Sequence, residues 1–324
     1  MASVHCLYVG TIGEGLWRSS DSGATFARDY HGLFVECHVR ALVVHPRESS
    51  TLYLGCELGL FRSTDGAGNW SRVESPINGL QVWSVLLSPH DPNLILVGTC
   101  PSRLFRSADG GRSWSEPAMK IVQECPRIMH TRVTTLAADP ADPATFWAGV
   151  EIDGLFRSRD AGRTWAPVGQ GLSSRDIHGL VIVPRNGKAQ RMLASTNNDL
   201  NLSDDGGETW QPQGIGQSLP WSYCRGMGQK CGQPDVIFLG NGDGPPGTVG
   251  VIARSSDGGA SWRAARMPGR ANSTLWNFAS HPADPELLYA SSVSGEVYRS
   301  SDGGQSWEKL PREFGEVRAL AWAP

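Results

Sequence analysis

The sequence lacks a strong charge of either sign: 29 Lys and Arg against 32 Asp and Glu leave a formal net charge of −3 over 324 residues. A nucleic-acid binder should carry a strongly basic face, so no nucleic-acid partner is expected. No run of 18 or more apolar residues occurs, which excludes a membrane-spanning helix. The opening Met1-Ala-Ser-Val-His-Cys-Leu lacks the basic segment of an export leader. Cysteine is scarce and odd in number. The seven (Cys6, Cys37, Cys56, Cys100, Cys125, Cys224, Cys231) have no disulfide-framework spacing. Together these absences read as a reduced, cytoplasmic chain whose cysteines are mostly small buried hydrophobes.

What is abundant points elsewhere. The chain has 39 glycines and 12 tryptophans, so turns and one aromatic packing device recur many times. The recurring unit is Ser-x-Asp-x-Gly-x-Thr/Ser-Trp. Its aspartates are Asp21, Asp65, Asp109, Asp160, Asp205, Asp257 and Asp302. A period near 45 residues with several short strands per unit is the mark of a β-propeller. Each unit reads alike: an apolar strand such as 39–45, a turn, a second strand such as 51–55, a short loop, a third strand such as 59–63, then the box and an outer strand. The sequence therefore predicts an all-β, seven-bladed β-propeller in one domain, 1–324, with four-stranded antiparallel blades. The chain starts with a second-type strand (7–10) and ends with a first-type strand (317–322), so the C-terminal inner strand should join the N-terminal blade and close the ring.

The box is a turn device. Asp accepts nearby backbone N–H groups, Gly supplies positive φ, and the aromatic ring covers the adjacent strand. All seven aspartates are accordingly set aside as catalytic candidates. Box one carries Phe26 in place of Trp, and box two carries Ala67 and Asn69. The motif and its period resemble the Asp-box (BNR-repeat) propeller superfamily along the whole chain. That superfamily includes sialidases, xyloglucan-active glycosidases, sortilin-type receptors and photosystem II assembly factors. The box implies a fold and not an activity.

Function is expected on the face where chain leads into the innermost strands and where the second and third strands are joined. Those segments hold His38, His130 and His178, from three blades, with Glu57, Glu151 and Asp153. Three imidazoles, or two with a carboxylate, is the ligation of a catalytic divalent metal ion. Cys56, Cys100 and Cys224 fall in the same set, as soft ligands, a nucleophile or inert packing. Glu57 and Glu151 are alternatively a glycosidase acid–base pair. Resemblance to sialidases would instead use Arg40, Arg132, Arg225 or Arg318 to hold a carboxylate, with Tyr223 as nucleophile. Known sialidases are six-bladed and carry an early Arg-Ile-Pro motif, which is absent here.

Arg40, Arg132 and Arg318 with Trp83, Tyr223 and Trp276 describe a polar pocket with aromatic walls, suited to a small polar or anionic molecule. The leading expectation is a hydrolase or lyase with His178, His130, Glu57 and Glu151 as catalytic groups and His38, His130 and His178 as metal ligands. The alternative is a non-catalytic platform for a protein or peptide. Two insertions, near 118–130 and 240–250, should lie over the pocket, the first long enough to be a lid.

Overall fold

In the computed structural model the described residues are 5–29, 31–126 and 128–324. The first four residues, part of the no-leader reading, lie outside them, as do Tyr30 and Arg127 of the first insertion.

Seven antiparallel sheets form the ring, each labelled here by its blade. Blade 1 runs from the inside outward as Val317–Ala323, Cys6–Thr11, Leu16–Ser19 and Ala27–Asp29. Leu7 pairs with Trp322 and Tyr8 with Ala321, so the two ends of the chain share one sheet and no innermost edge is left open. The innermost strands of blades 2 to 7 are Ala41–Val44, Gln81–Leu87, Val133–Ala138, Ile177–Val183, Tyr223–Lys230 and Leu275–Ser280. No α-helix is present among the described residues; one 3-10 turn spans Ile215–Gln217.

Six sheets have four strands, while in blade 3 the outermost strand is reduced to a single bridge between Arg106 and Ser115. The cause is local. In blade 2 Val73 donates its N–H to the Leu60 carbonyl (2.8 Å), and Gln213, Ala265 and Leu310 do the same in blades 5, 6 and 7. The residue at this position in blade 3 is Pro117, which has no N–H to give.

The aspartates of the boxes are saturated. Ser203 Oγ donates to Asp205 Oδ1 (2.7 Å) and accepts the Gly207 N–H (2.9 Å). Thr209 N–H and Oγ1–H donate to the Asp205 carboxylate. Box two keeps this pattern with other groups, since the Asn69 amide donates to Asp65 Oδ2 (2.8 Å) where the other boxes use a hydroxyl. Ala67 accepts the glycine's conformation there at φ 71°. Trp210 is buried between blades, and a ring of that size contributes roughly 4–6 kcal/mol of gross transfer free energy.

The blades meet through a repeated close approach. A Cβ on Gly55 of blade 2 would lie 2.3 Å from Val82 of blade 3, and one on Gly98 would lie 2.5 Å from Val133 of blade 4. The second strand is therefore stripped of a side chain where the next blade's innermost strand leans on it.

Candidate functional site

The innermost strands share a defect. In blades 3, 4, 5 and 7 the register skips one residue, at Trp83, Thr134, His178 and Trp276. In blade 6 it skips Arg225 and Gly226, and in blade 1 Arg318. Such bulges turn a side chain away from the ladder, here toward the propeller axis. Arg40 occupies the same place in blade 2, just before its strand. The sequence shows the register as an apolar residue, the turned residue, a mostly small residue and an apolar residue: Val39-Arg-Ala-Leu, Val82-Trp-Ser-Val, Ile177-His-Gly-Leu and their counterparts.

The result is a ring of one side chain per blade: Arg318, Arg40, Trp83, Thr134, His178, Arg225 and Trp276. It lines an axial channel of about 430 Å³ bounded by all seven innermost strands. Three arginines face this channel and, among the described residues, no carboxylate does. Two residues earlier on each chain stands a second, upper set: Glu316, His38, Gln81, Arg132, Asp176, Tyr223 and Thr274. Above the channel opens a funnel of about 1000 Å³, lined among others by Arg132, Glu151, Asp176, Tyr223 and Glu316. His178, Arg225, Trp276 and Arg318 line both spaces and form the boundary between them.

The funnel is off-axis. Blades 1, 4, 5, 6 and 7 contribute to it, and blades 2 and 3 do not. This asymmetry sorts the candidate residues. Arg132, Glu151, His178, Tyr223, Trp276 and Arg318 come together in the funnel, while Arg40 and Trp83 line the channel beneath. Glu57, His38 and His130 line neither space. The Glu57 carboxylate accepts the His38 N–H (2.7 Å), and His130 is exposed on a hairpin, Glu124–Cys125 with Met129–His130, within the first insertion. Thus one histidine of the expected three reaches the site.

Asp153 is engaged in holding that insertion, accepting Val122 N–H (2.9 Å) and Arg175 (2.9 Å). Ile128 of the hairpin reaches the funnel rim. Asp243 to Pro246 of the second insertion line the rim as well, clipped down by Thr248 onto Asp243 and by Thr274 onto the Gly244 and Pro246 carbonyls. Cys56, Cys100 and Cys224 line neither space; burial raises the pKa of Cys100 and Cys224, the latter to about 12, which keeps both as thiols.

Charge and aromatic groups interleave tightly. The Arg225 and Arg318 guanidinium carbons lie 3.9 and 4.0 Å from the Trp276 ring, one from each neighbouring blade. Arg132 and Arg40 lie 4.4 and 5.0 Å from Trp83. Both indoles are thus contacted by cations. Burial depresses the Arg318 pKa to about 10, although Glu316 pairs with it and opposes the shift.

Among the described residues, Glu151, Asp176 and His178 are the group of ionisable side chains able to hold a metal ion, with one ligand atom from each lying within 4.8 Å of the others. Arg132 Nε lies 3.0 Å from Glu151 Oε2, and Arg225 lies 3.9 Å from Oε1, so both guanidinium groups pair with Glu151, while among the described residues Asp176 is within ion-pair distance of His178 alone. The Arg132–Glu151 contact is not aligned for a hydrogen bond, which leaves both atoms without one.

His178 shows a second mismatch. Its Nδ1 faces the Cys224 carbonyl at 2.7 Å and must carry the proton, because a carbonyl only accepts. Its Nε2 then presents a lone pair to Asp176 Oδ1 at 3.3 Å. Burial lowers the His178 pKa. Asp176, although burial works against its charge, is held below the usual carboxylate range by His178, Arg225 and Arg132. With His178 neutral the two acceptors face each other, and the lowered Asp176 pKa belongs to the state in which a proton on Nε2 fills the gap and makes His178 cationic. Tyr223, tilted on His178 at 5.3 Å, has a hydroxyl without a hydrogen-bond partner and a pKa pushed up to about 12 by burial.

Asp176 is the group the sequence reading passed over. It sits one strand period before His178, and that alternation was the available signal.

Comparison with known proteins places the fold. The BNR/Asp-box repeat profile matches residues 202–212, the fifth box. A xyloglucanase of Hypocrea jecorina (strain QM6a) is 32% identical over 96 residues, covering 29% of this chain and 11% of that protein. The chain thus matches a small part of that relative. Among solved structures, YCF48 bound to D1 peptide superposes with TM-score 0.57 at 16% identity, covering 86% of this chain and 85% of that one. An ancestral GH74 enzyme superposes with TM-score 0.56 at 15% identity, covering 97% of this chain and 54% of that one. At such identities the likeness is one of fold. With seven boxes on seven blades, the chain is a seven-bladed β-propeller with Asp-box repeats, the fifth of which the BNR/Asp-box profile matches.

Proposed function

We propose that the protein binds a small anionic molecule on the propeller axis and acts on it by hydrolysis or elimination. The anionic group sits in the channel against Arg40, Arg225 and Arg318; Glu151, Asp176 and His178 serve as acid and base on the part of the ligand held in the funnel. The observation that carries this reading is that three arginines and, among the described residues, no carboxylate line the channel. The unprotonated Asp176–His178 contact supports a general base, since the pair has room for one proton abstracted from substrate. The guanidinium groups stacked on Trp83 and Trp276 would compete with a sugar for those rings, which weighs against a sugar-stacking platform. Hydrolysis has precedent on related propellers in the xyloglucanase and the ancestral GH74 enzyme.

The test is turnover across a panel of carboxylate- and phosphate-bearing esters and β-substituted acids. His178→Ala should lower kcat at least about 100-fold, the scale of general base catalysis, with KM little changed. Binding of panel anions by the wild-type protein with no turnover of any would remove the catalytic half of the reading. The second reading is a peptide-binding module. Exposed Phe34, Val35, Leu58, Val122 and Met129 on segments of the funnel face favour it, as does the peptide carried by YCF48.

A further inference from the structure

Charge changes along the axis, from arginines without carboxylates among the described residues lining the channel to arginines and carboxylates together in the funnel. The lower ring supplies Arg40, Arg225 and Arg318, while the carboxylates Glu151 and Asp176 belong to the funnel above. Asp176 stands two residues before His178, and Glu316 two before Arg318, so each acid lies at the funnel end of the bulged residue that follows it. A simple anion would satisfy the lower ring alone. It would leave Asp176 facing a lone pair and Glu151 Oε2 without an aligned donor. Buried acceptors left in this state are costly, and a ligand that brings donors to them removes the cost.

We infer that the ligand is amphoteric, with an anionic group in the arginine-lined channel and a cationic, hydrogen-bond-donating nitrogen in the funnel against Asp176 and Glu151. An ammonium or amidinium group suits this place. It donates to Asp176 Oδ1 and Glu151 Oε2 and adds its charge where the carboxylates stand. From Arg40, the guanidinium that lines the channel and not the funnel, the upper carboxylates stand about one strand period higher, roughly 6–7 Å, whereas Arg225 bridges the two seats at 3.9 Å from Glu151. Amino acids with adjacent charges are too short to reach both seats, so the class is that of ω-amino acids, guanidino acids or short zwitterionic peptides. The inference rests on the anion seat proposed above.

The experiment is isothermal titration calorimetry of the wild-type protein with glycine, β-alanine, 4-aminobutanoate, 5-aminopentanoate and 6-aminohexanoate. Pentanoate and pentylamine serve as the matched single-charge probes. Binding should peak in the middle of the series, with a Kd at least tenfold below that of either single-charge probe. Asp176→Asn should raise the 5-aminopentanoate Kd to that of pentanoate, and Arg40→Gln should weaken both. Equal binding of pentanoate and 5-aminopentanoate would overturn the amphoteric class while the anion seat survives. Binding of neither would overturn both. A thermal midpoint within a few degrees of wild type shows that each variant is folded.

Discussion

The Asp-box turns and the axial site are built from the same kinds of residue, and they differ in saturation. In the box, each aspartate oxygen accepts from a hydroxyl, an amide or a backbone N–H, as at Asp205. On the axis, Arg40 Nε, Arg132 Nε, Arg318 NH1, Glu151 Oε2, Asp176 Oδ1, Tyr223 Oη and Trp276 Nε1 are buried without an aligned hydrogen bond. A polar group whose bonds are complete inside the chain is holding the fold. A cluster of incomplete ones in one cavity is a candidate ligand seat. Single atoms of that kind also occur elsewhere, such as Trp70 Nε1, Trp307 Nε1 and Arg254 Nε, but the axis gathers seven of them.

The contrast predicts opposite outcomes for two substitutions. Arg318→Met on the axis removes one guanidinium from the channel and from the Trp276 stack. Affinity for the anionic ligand should fall about 30- to 300-fold, the range for truncating one side of a buried charge contact. Stability should hold or rise, because Met replaces a buried, partly desolvated cation with an apolar chain of similar length. Calorimetric titration and a thermal melt on the same sample check both halves. Loss of stability without loss of affinity would reverse the assignment of the two regions.

Asp205→Ala in the fifth box should do the reverse. It frees the Thr209 and Glu208 N–H groups and the Ser203 and Thr209 hydroxyls, costing about 1–2 kcal/mol of stability. Ligand affinity should stay within about twofold, as expected for independent distant sites. Denaturant unfolding and the same titration measure the pair.

A smaller, collective effect concerns acid. Asp21 and Asp65 are held at about 2 chiefly by Thr25 and Asn69. Asp160 and Asp205 reach the same value against the opposing effect of burial. A carboxylate whose folded pKa is depressed adds stability above its unfolded pKa and loses it as pH falls through the folded value. Stability should therefore be flat above about pH 4 to 5 as far as the boxes are concerned, and should decline toward pH 2. Tryptophan fluorescence during acid titration reports this. An axial substitution such as Arg318→Met should leave that decline unchanged.

How much of this was legible in the sequence differs between the same two regions. The boxes could be read directly, because local bonding fixes both residue type and spacing: Ser, Asp, Gly and Thr or Ser all serve one turn. Ring closure followed from the strand types at 7–10 and 317–322. The thin outer edge of blade 3 was readable from Pro117 only once its counterparts Val73, Gln213, Ala265 and Leu310 had been aligned as donors. The axial ring is different. Arg318, Arg40, Trp83, Thr134, His178, Arg225 and Trp276 share a register and no residue type, so repeat spacing marks their position while chemistry does not announce it. The funnel's off-axis placement depends on which loops are long, and it leaves His38, His130 and Glu57 outside. Asp176 was hidden because its role depends on the proton-bearing nitrogen of a neighbour, which the Cys224 carbonyl selects from another blade.

The account turns on an anion seat between Arg40, Arg225 and Arg318. Anomalous diffraction from crystals soaked in bromide tests it most directly, since bromide brings charge without shape or chemistry. The account predicts an ordered bromide peak in the channel beneath His178 that disappears in Arg318→Met crystals. A channel empty of bromide, with ordered sites elsewhere on the molecule, would contradict it.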